Sequence, residues 1–323
     1  MAPTNILVTG AAGYIGGSIV ADFLTGVVPS LEKGNIIAAV RSEEQAAALS
    51  DSGVNVTRLD LTDGEAVAKT IVDHDSTLRG TGNEIFAIEK QLADSYPVRK
   101  TDVTVIEQAQ SQGVISFIVI PCLTHGKGTG AWNKLSVNIP IVINASIKRK
   151  EVRRFADNIK VSYVHISDLT ALYGRIVEKI LQGEEPPSGS EGYYFSTSYQ
   201  ISSHHFADQL AAALHARGLV SSPKPEVWPS AEAAAEALGV PAKFVEYLWN
   251  SGCVIHSPQL SQANSIRDDA PSTGIGSGPK IGWKPKWDEE KFFRHIDDEV
   301  DAVLELGKAK SSLVDSLFAA AKE

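Results

Sequence analysis

The sequence predicts an α/β fold, in which a doubly wound parallel sheet is followed by a smaller, mostly helical C-terminal lobe. Short apolar runs alternate with helix-forming stretches up to Asp75, which is the pattern of parallel βαβ units. A glycine-rich turn joins the first apolar run to the first helix. The last third of the chain is largely helical in pattern, which distinguishes it from the sheet-forming part.

The first strands and helices follow one another through short connections. Each strand is a short apolar or alternating run, and each helix is a stretch of apolar-periodic or helix-forming residues. The predicted strands are residues 5–9, 36–40 and 54–59; the predicted helices are one ending at Leu24 and two at 42–49 and 60–71.

The alternation stops after Asp75 and resumes with a helix near residue 97. Residues 76–95 contain polar turn material and one apolar run that continues as a helix. Gly126–Gly130 is predicted to be a flexible loop. The later predicted strands are 115–120, 161–166 and 193–195, and the later predicted helices are 97–110, 168–181, 202–217, 230–238, 241–250 and 287–306.

Charge and composition limit the classes of function that this protein can have. The chain has 323 residues, of which 43% are apolar, and a formal net charge of −9, so it can bury a full core while its surface repels polyanions. We therefore expect no nucleic-acid and no membrane partner. Two cysteines predict no disulfide framework, and no ligand spacing suggests a metal. The lack of a leader pattern and of a long apolar stretch predicts a cytoplasmic protein.

Gly10, Gly13 and Gly16 form a GxxGxxG turn between a predicted strand and a predicted helix. Glycines let the backbone turn tightly and approach a pyrophosphate, while the helix N-terminus supplies N–H groups and partial positive charge. A glycine-rich turn can also be purely structural. The strand–turn–helix context at the start of a βαβ unit favours dinucleotide binding.

Arg41 and Ser42 stand at the end of the second predicted strand, where an acidic residue would select NAD through the ribose 2′-hydroxyl. A guanidinium can bind a 2′-phosphate bidentately, and a serine can add a hydrogen bond. The sequence therefore favours NADP(H), although an exposed arginine after a strand is common and the nearby Glu43 keeps NAD(H) as an alternative. Asp60 and Leu61 follow the third strand, where they either border the adenine or belong to a solvated helix start.

Several segments, in the same order, resemble the extended and atypical short-chain dehydrogenase/reductase superfamily, in particular NAD-dependent epimerase/dehydratase-like members of fungal type. TGAAGYIGG, AAVRS and RLDLTD are similar to its N-terminal part, and IVIPCLTHGKGTG and VSYVHISDLTALY to later elements. NSIRDDA and GWKP are similar to its C-terminal tail. The resemblance implies a Rossmann-type fold and cofactor contacts from Gly10, Ala12, Gly13, Tyr14, Ile15, Gly16 and Pro121.

The resemblance also implies a catalytic tyrosine with a lysine four residues later, which fits Tyr96 and Lys100. In such a pair the phenol donates a proton to a carbonyl oxygen as hydride arrives, while the ammonium lowers the phenol pKa and holds the nicotinamide ribose. Helical i,i+4 spacing would place both on one face. Pro97 favours the first helical position, so the alternative is a loop tyrosine beside a solvated lysine.

One stretch departs from the family pattern. The resemblance implies two further strand–helix units before the catalytic helix, and these need roughly 40 residues at average element lengths. Only residues 76–95 stand in that place, and they offer no strand-borne serine or threonine to bind a substrate carbonyl. The sequence therefore predicts either a form that lacks an internal segment after Asp75 or a degenerated family member.

The leading hypothesis is an NADP(H)-dependent oxidoreductase, or an epimerase/dehydratase-like enzyme, acting on a carbonyl or alcohol of a small organic molecule. The alternatives are a non-catalytic NADP(H)-binding protein similar to redox sensors and an inactive truncated isoform. The predicted domains are a cofactor-binding domain over residues 1–125 and a substrate-binding lobe over 126–323, with residues 161–181 returning to the first domain. The expected binding partner is a small-molecule substrate. A homodimer is the oligomeric state considered.

Overall fold

A computed structural model describes residues 5–59, 84–95, 97–245 and 278–310, and it confirms the predicted α/β fold. The strands of the described residues are β1 (Ile6–Val8), β2 (Ile36–Val40), β3 (Asn55–Arg58), β4 (Ile118–Ile120), β5 (Leu123–His125), β6 (Arg153–Arg154), β7 (Lys160–His165), β8 (Tyr193–Phe195), β9 (Tyr199–Ser202) and β10 (Glu226–Val227). Their helices are α1 (Tyr14–Leu24), α2 (Glu43–Ser50), α3 (Glu84–Gln91), α4 (Pro97–Ser111), α5 (Asn138–Arg149), α6 (Ile166–Leu181), α7 (Ser203–Ala216), α8 (Ala231–Leu238), α9 (Ala242–Val245), α10 (Glu289–Arg294) and α11 (Ile296–Leu306).

The N-terminal βαβ units form a parallel sheet in the order β1-β2-β3. Ile36 pairs with Ile6, and Ile37 pairs with Asn55. β2 is buried along its whole length, as expected for a continuous apolar run that has a strand on either side. β1 is only half-buried, and within the described residues it forms the edge of this sheet. One long side of β1 therefore faces a cleft.

The remaining strands form small sheets farther along the chain. β4 pairs with β8 in parallel, β7 lies between parallel β5 and antiparallel β9, and β10 pairs with β6. β4, β7 and β8 overlap predicted strands. β5, β6, β9 and β10, which have 2 to 4 residues each, were not predicted. The predicted helix at 60–71 lies outside the described residues.

Two helices differ from the predicted pattern. α5 was not predicted, since it begins after Val137 without a side-chain cap and so lacks the usual start signal. The helix predicted over 287–306 is two helices, α10 and α11, which meet at His295. The other predicted helices that fall within the described residues are present with shifted ends.

α6 joins the N-terminal sheet to the rest of the molecule. Tyr173, Val177 and Leu181 pack on the apolar cluster between α1 and the first sheet, whereas Leu169 and Leu172 belong to a second buried cluster. Side chains at i, i+4 and i+8 lie on one face of a helix. One face of α6 therefore packs on the first cluster and another face packs in the second.

Asp168, in the first turn of α6, fixes a distant segment to this helix. Its buried carboxylate accepts the backbone N–H groups of Lys286 and Trp287 at 2.9–3.0 Å, and its carbonyl accepts the indole N–H of Trp283 at 2.8 Å. Burial raises the pKa of Asp168, and these backbone hydrogen bonds oppose that rise. The segment before α10 is thereby held against α6.

No helix of the described residues is long and apolar enough to cross a membrane. No three His, Cys, Asp or Glu side chains in this part of the chain come together as metal ligands could. The division into domains at residue 125 and the homodimer stay predictions.

Residues 126–130 form a loop that packs on the backbone of α1, although their glycines predicted a flexible loop. A Cβ added to Gly130 would lie 2.7 Å from the carbonyl carbon of Gly17, and one added to Gly17 would lie 3.1 Å from the Ala11 oxygen. Gly128 and Gly130 are buried. The absence of side chains at 17 and 130 therefore lets the helix and the loop touch directly.

We expect Gly130→Ala to lower the free energy of unfolding by about 1–3 kcal/mol, because the added methyl group must push the loop away from α1. Gly34→Ala is the matched control, since a Cβ at Gly34 meets no atom within 4 Å. Urea unfolding followed by circular dichroism measures both variants. Equal stability of the two would contradict the tight packing of loop and helix.

Candidate functional site

A cleft of about 940 Å³ lies along β1 and the carboxyl end of β2, over the start of α1. Ligands of open parallel sheets bind at this end of the strands. α6 and a strip of chain at residues 133–137 also line this cleft. The lining residues are Ile6, Leu7, Val8, Thr9, Gly10, Ala12, Gly13, Tyr14, Ile15, Gly16, Ile19, Phe23, Ala39, Val40, Arg41, Gln45, Leu59, Asn133, Leu135, Val137, Tyr173, Val177 and Lys310.

The glycine turn that lines the cleft needs each of its glycines. Gly10 has φ +65°, a left-handed conformation that side chains disfavour. A Cβ on Gly13 would lie 3.0 Å from the Gly10 carbonyl oxygen, and a Cβ on Gly16 would overlap that oxygen. The Gly13 N–H donates to the same oxygen at 2.8 Å and closes the turn. The turn can therefore lie directly against the start of α1.

The start of α1 is suited to an anion. Gly13 is the N-cap and supplies no side-chain hydrogen bond, and the first turn contains no acidic residue. The first N–H groups of a helix have no partner within the helix, and the helix dipole adds partial positive charge there. A phosphate group at this position would accept hydrogen bonds from the backbone without any side chain.

The charge of the cleft is opposite to that of the whole chain. The formal net charge is −9. The charged side chains in the described lining are nevertheless the cations Arg41 and Lys310, and no carboxylate is among them. Charges beyond about 10 Å are largely screened at physiological ionic strength, so the local cations determine which ligand the cleft attracts. The cleft fits an anionic ligand such as a dinucleotide.

Most of the cofactor-binding residues predicted from the sequence line this cleft. The glycine turn contributes six of them and the end of β2 contributes Arg41, whose side chain is exposed. Asp60, Leu61 and Tyr96 lie outside the described residues. The predicted residues that line the cleft are Gly10, Ala12, Gly13, Tyr14, Ile15, Gly16 and Arg41.

Ser42 caps α2, a structural role that the sequence analysis did not predict. Its hydroxyl accepts the N–H of Gln45 at 3.3 Å, and the Gln45 side chain accepts the Ser42 N–H at 3.4 Å. This reciprocal pair is a capping box for α2. The Gln45 oxygen also accepts the Arg41 N–H at 3.1 Å, which orients the backbone at the end of β2. Ser42 is not among the residues that line the cleft.

Lys100 and Pro121 also do not line the cleft. The Lys100 ammonium lies 3.0 Å from Oδ1 of Asp94, and the lysine side chain is 67% exposed. Pro121 is exposed in the short connection between β4 and β5. The structure therefore does not place these two residues beside the glycine turn.

The sequence analysis did not predict the lining residues that come from later parts of the chain. Tyr173 and Val177 have helical i,i+4 spacing on α6, a signal of burial that does not reveal which surface they face. Asn133, Leu135 and Val137 come from an irregular segment, and Lys310 follows α11. No local pattern could relate these residues to a turn at the start of the chain.

A buried hydrogen-bonded cluster holds the 126–130 loop beside the glycine turn. Nδ1 of His125 lies 2.9 Å from Oε1 of Glu299, and the Gly126 N–H donates to the same oxygen at 2.6 Å. Nε2 of His125 is hydrogen-bonded to the Tyr199 hydroxyl. The Tyr14 hydroxyl donates to the Gly126 carbonyl at 2.7 Å. The cluster thereby joins α11 to the first residue of α1.

Burial keeps both phenols of this cluster protonated. It raises the pKa of Tyr14 well above its usual value of 10.0, and the Glu299 carboxylate raises it further. It likewise raises the pKa of Tyr199 above its ordinary range, with smaller contributions from Tyr163 and other neighbours. Tyr14 therefore acts as a hydrogen-bond donor that positions the loop.

The rings of His165 and His125 lie 5.0 Å apart. The His165 ring stacks on Trp287 with centroids 3.7 Å apart, and its Nδ1 accepts the Ser167 N–H at 3.1 Å as the N-cap of α6. Burial, and then the charges of His125, Lys291 and His295, lower the pKa of His165 from 6.5 to about 2. His165 is therefore a neutral acceptor at neutral pH.

The fold and the cleft together define a nucleotide-binding protein of Rossmann type. The model of a family described as NAD(P)H-binding matches residues 10–216, which is more than half of the chain. The chain therefore belongs to this NAD(P)H-binding family, which confirms the NAD(P)-binding part of the resemblance drawn from its sequence. The fungal type and the missing internal segment stay predictions. None of the curated proteins matches the chain.

Three solved structures are similar to the chain at low sequence identity. The dTDP-glucose 4,6-dehydratase of Streptomyces venezuelae, solved with NAD bound, has a TM-score of 0.54 and 12% identity, over 93% of this chain and 97% of its own. The UDP-glucose 4-epimerase of Thermotoga maritima has a TM-score of 0.53 and 13% identity, over 94% and 100%. The Citrobacter triphenylmethane reductase, solved with NADP(H), has a TM-score of 0.48 and 18% identity, over 90% and 99%.

The pKa of His165 predicts a loss of stability in acid. The unfolded chain binds a proton at His165 near pH 6.5, whereas the folded protein does so only near pH 2, so its contribution is complete above pH 6.5 and falls below it. We expect a fall in the free energy of unfolding of up to about 1.4 kcal/mol per pH unit from this residue.

His165→Asn isolates this effect, because asparagine can cap a helix but does not titrate. Urea unfolding of both proteins at several pH values between about 7.5 and 5 gives the difference in slope that linkage requires. Parallel pH profiles of stability would show that His165 is not held neutral by the fold.

Proposed function

We propose that this protein is an NADP(H)-dependent oxidoreductase that acts on a carbonyl or alcohol group of a small organic molecule. The observation that carries the proposal is the cleft, where the glycine turn, the uncapped start of α1 and Arg41 face one cavity. Membership of the NAD(P)H-binding family supports the cofactor class. A dehydratase of the same fold was solved with NAD bound, which supports a dinucleotide as a ligand of this fold. When bound, the nicotinamide supplies or accepts hydride.

The residues at the end of β2 support NADP(H) over NAD(H). A carboxylate there would accept the ribose 2′-hydroxyl and repel a 2′-phosphate. The described lining of the cleft has no carboxylate, and it has the Arg41 guanidinium at this position. A guanidinium can bind a phosphate through two parallel hydrogen bonds. The capping box around Ser42 and Gln45 fixes the backbone from which Arg41 extends.

We expect NADPH to bind more tightly than NADH, and Arg41→Asp to reverse that order. Losing charge-assisted hydrogen bonds to a phosphate should weaken NADPH binding roughly 10- to 150-fold. Arg58→Asp is the matched control, because Arg58 is exposed, pairs with Glu43 and does not line the cleft. Titration calorimetry with both nucleotides gives the affinities. Equal affinity of the unaltered protein for the two nucleotides would contradict selection by Arg41.

For catalysis we propose that Tyr96 donates the proton to the substrate oxygen and that Lys100 assists it. The assignment rests on the family resemblance and on the four-residue spacing. A nearby ammonium favours the phenolate form of a tyrosine and so eases proton transfer. Lys100 lies near the start of α4, whereas Tyr96 lies outside the described residues.

Binding of NADP(H) without catalysis is the second candidate, and the position of Lys100 favours it. Its ammonium lies 3.0 Å from the Asp94 carboxylate, and the side chain is 67% exposed. Lys100 also does not line the cleft. Assistance to catalysis would require this ammonium to leave Asp94 and reach the cofactor.

We expect the protein to oxidise NADPH with a panel of small aldehydes and ketones, and Tyr96→Phe to lower kcat/KM by about 10²–10⁴, because phenylalanine has no proton to donate. Lys100→Gln should also lower it. Lys90→Gln is the matched control, since Lys90 is another exposed lysine, paired with Glu107. NADPH binding with no turnover on any substrate would instead support the second candidate.

A further inference from the structure

We propose that Lys310 binds the pyrophosphate of the dinucleotide in this cleft. The proposal rests on the proposed nucleotide binding and adds to it a residue far from the glycine turn in sequence. Lys310 lines the same cleft as Gly10, Gly13 and Arg41.

Two hydrogen bonds and one buried side chain hold the segment that carries Lys310. The Gly307 carbonyl accepts the side-chain N–H of Asn144 at 2.9 Å, and Ala309 is buried in the core of the C-terminal lobe. The Lys310 N–H donates to Oδ1 of Asn133 at 3.0 Å. The backbone is therefore fixed on both sides of Ala309, while the Lys310 side chain is exposed at the cleft.

Asn133 ties this segment to the wall of the cleft. It is 3% exposed, and its Oδ1 also accepts the Leu135 N–H at 3.3 Å. Asn133 and Leu135 both line the cleft. One carboxamide oxygen therefore holds two backbone segments at the same wall, and Lys310 is placed there by a buried contact.

The charge of Lys310 is available to an anion. Its ammonium lies 4.5 Å from the ring centroid of Trp132, a cation–π contact that holds the side chain but leaves its charge in place. Within the described residues no carboxylate forms an ion pair with it, whereas Lys100, Lys127 and Lys179 each pair with an acid. A cation in this state can form a charge-assisted hydrogen bond with a phosphate oxygen.

The pyrophosphate is the group that this arrangement selects. The start of α1 and its glycine turn receive the pyrophosphate in a Rossmann-type fold, and Arg41 marks the side of the 2′-phosphate. Lys310 comes from the wall formed with Asn133 and Leu135 and not from the end of β2. Lys310 should therefore act on NADPH and NADH alike, whereas Arg41 should act on NADPH alone.

The test compares the affinities of NADPH and NADH for three variants by titration calorimetry. Lys310→Gln should weaken both nucleotides by the same factor, roughly 10-fold or more, and reduce the dependence of binding on salt. Lys310→Arg should restore most of the affinity, because it keeps the charge. Lys308→Gln should bind as the unaltered protein does, since Lys308 is exposed and does not line the cleft.

Trp132 fluorescence gives a second readout. If Lys310 moves from the Trp132 ring to a phosphate, nucleotide binding should change the Trp132 emission, and Lys310→Gln should abolish that change. Trp132→Phe identifies this contribution among the five tryptophans. Circular dichroism and the melting temperature establish that each variant is folded.

The outcomes separate this inference from the function it rests on. Parallel weakening of both nucleotides by Lys310→Gln, with rescue by arginine, would support the pyrophosphate assignment. Unchanged affinity would overturn it and leave nucleotide binding intact, and weakening of NADPH alone would overturn it in favour of the 2′-phosphate. Failure of the unaltered protein to bind either nucleotide would overturn the proposed function as well.

Discussion

The arrangement of the cleft depends on one backbone contact, between α1 and the loop at residues 126–130. Gly17 and Gly130 allow it, because a Cβ on Gly130 would lie 2.7 Å from the Gly17 carbonyl carbon. The loop then receives the Tyr14 phenol on one side and the Glu299 carboxylate on the other. Protein interiors are densely packed, so a displacement here would be passed to every element that touches the loop. The Lys134 carbonyl accepts the Gly128 N–H at 2.9 Å, so the loop also joins the 133–137 strip to α1.

A chain with a negative net charge can bind an anionic ligand when the electrostatic potential inside its binding cleft is positive. The start of α1 contributes helix-dipole charge, and the described lining adds two cations and no acid. These charges act over a few ångströms, whereas the surface carboxylates responsible for the net charge of −9 are screened by salt. The net charge therefore describes solubility and long-range repulsion, while the cleft determines which small molecule binds.

The sequence was most informative where structure is local. The bounds of β2 were predicted to the residue, and the glycine turn lines the cleft as expected, because strand, turn and helix are encoded by adjacent residues. Lys310, Asn133 and Tyr173 could not be predicted, since their place in the cleft depends on contacts between distant segments. Lys100 shows the limit of a spacing argument, because the i,i+4 pattern does not reveal its pairing with Asp94.

The contacts of the 126–130 loop join residues that are far apart in sequence, so they should form late in folding. Tyr14 and Gly126 are 112 residues apart, and Gly126 and Glu299 are 173 apart. The first βαβ units have mostly local contacts, which form fast, whereas closing a long loop costs more chain entropy before any contact forms. The two walls of the cleft should therefore meet late, after the glycine turn has formed. A ligand that contacts both walls binds the native state and not the unfolded chain, so it would stabilise the finished protein more than it would guide the chain toward it.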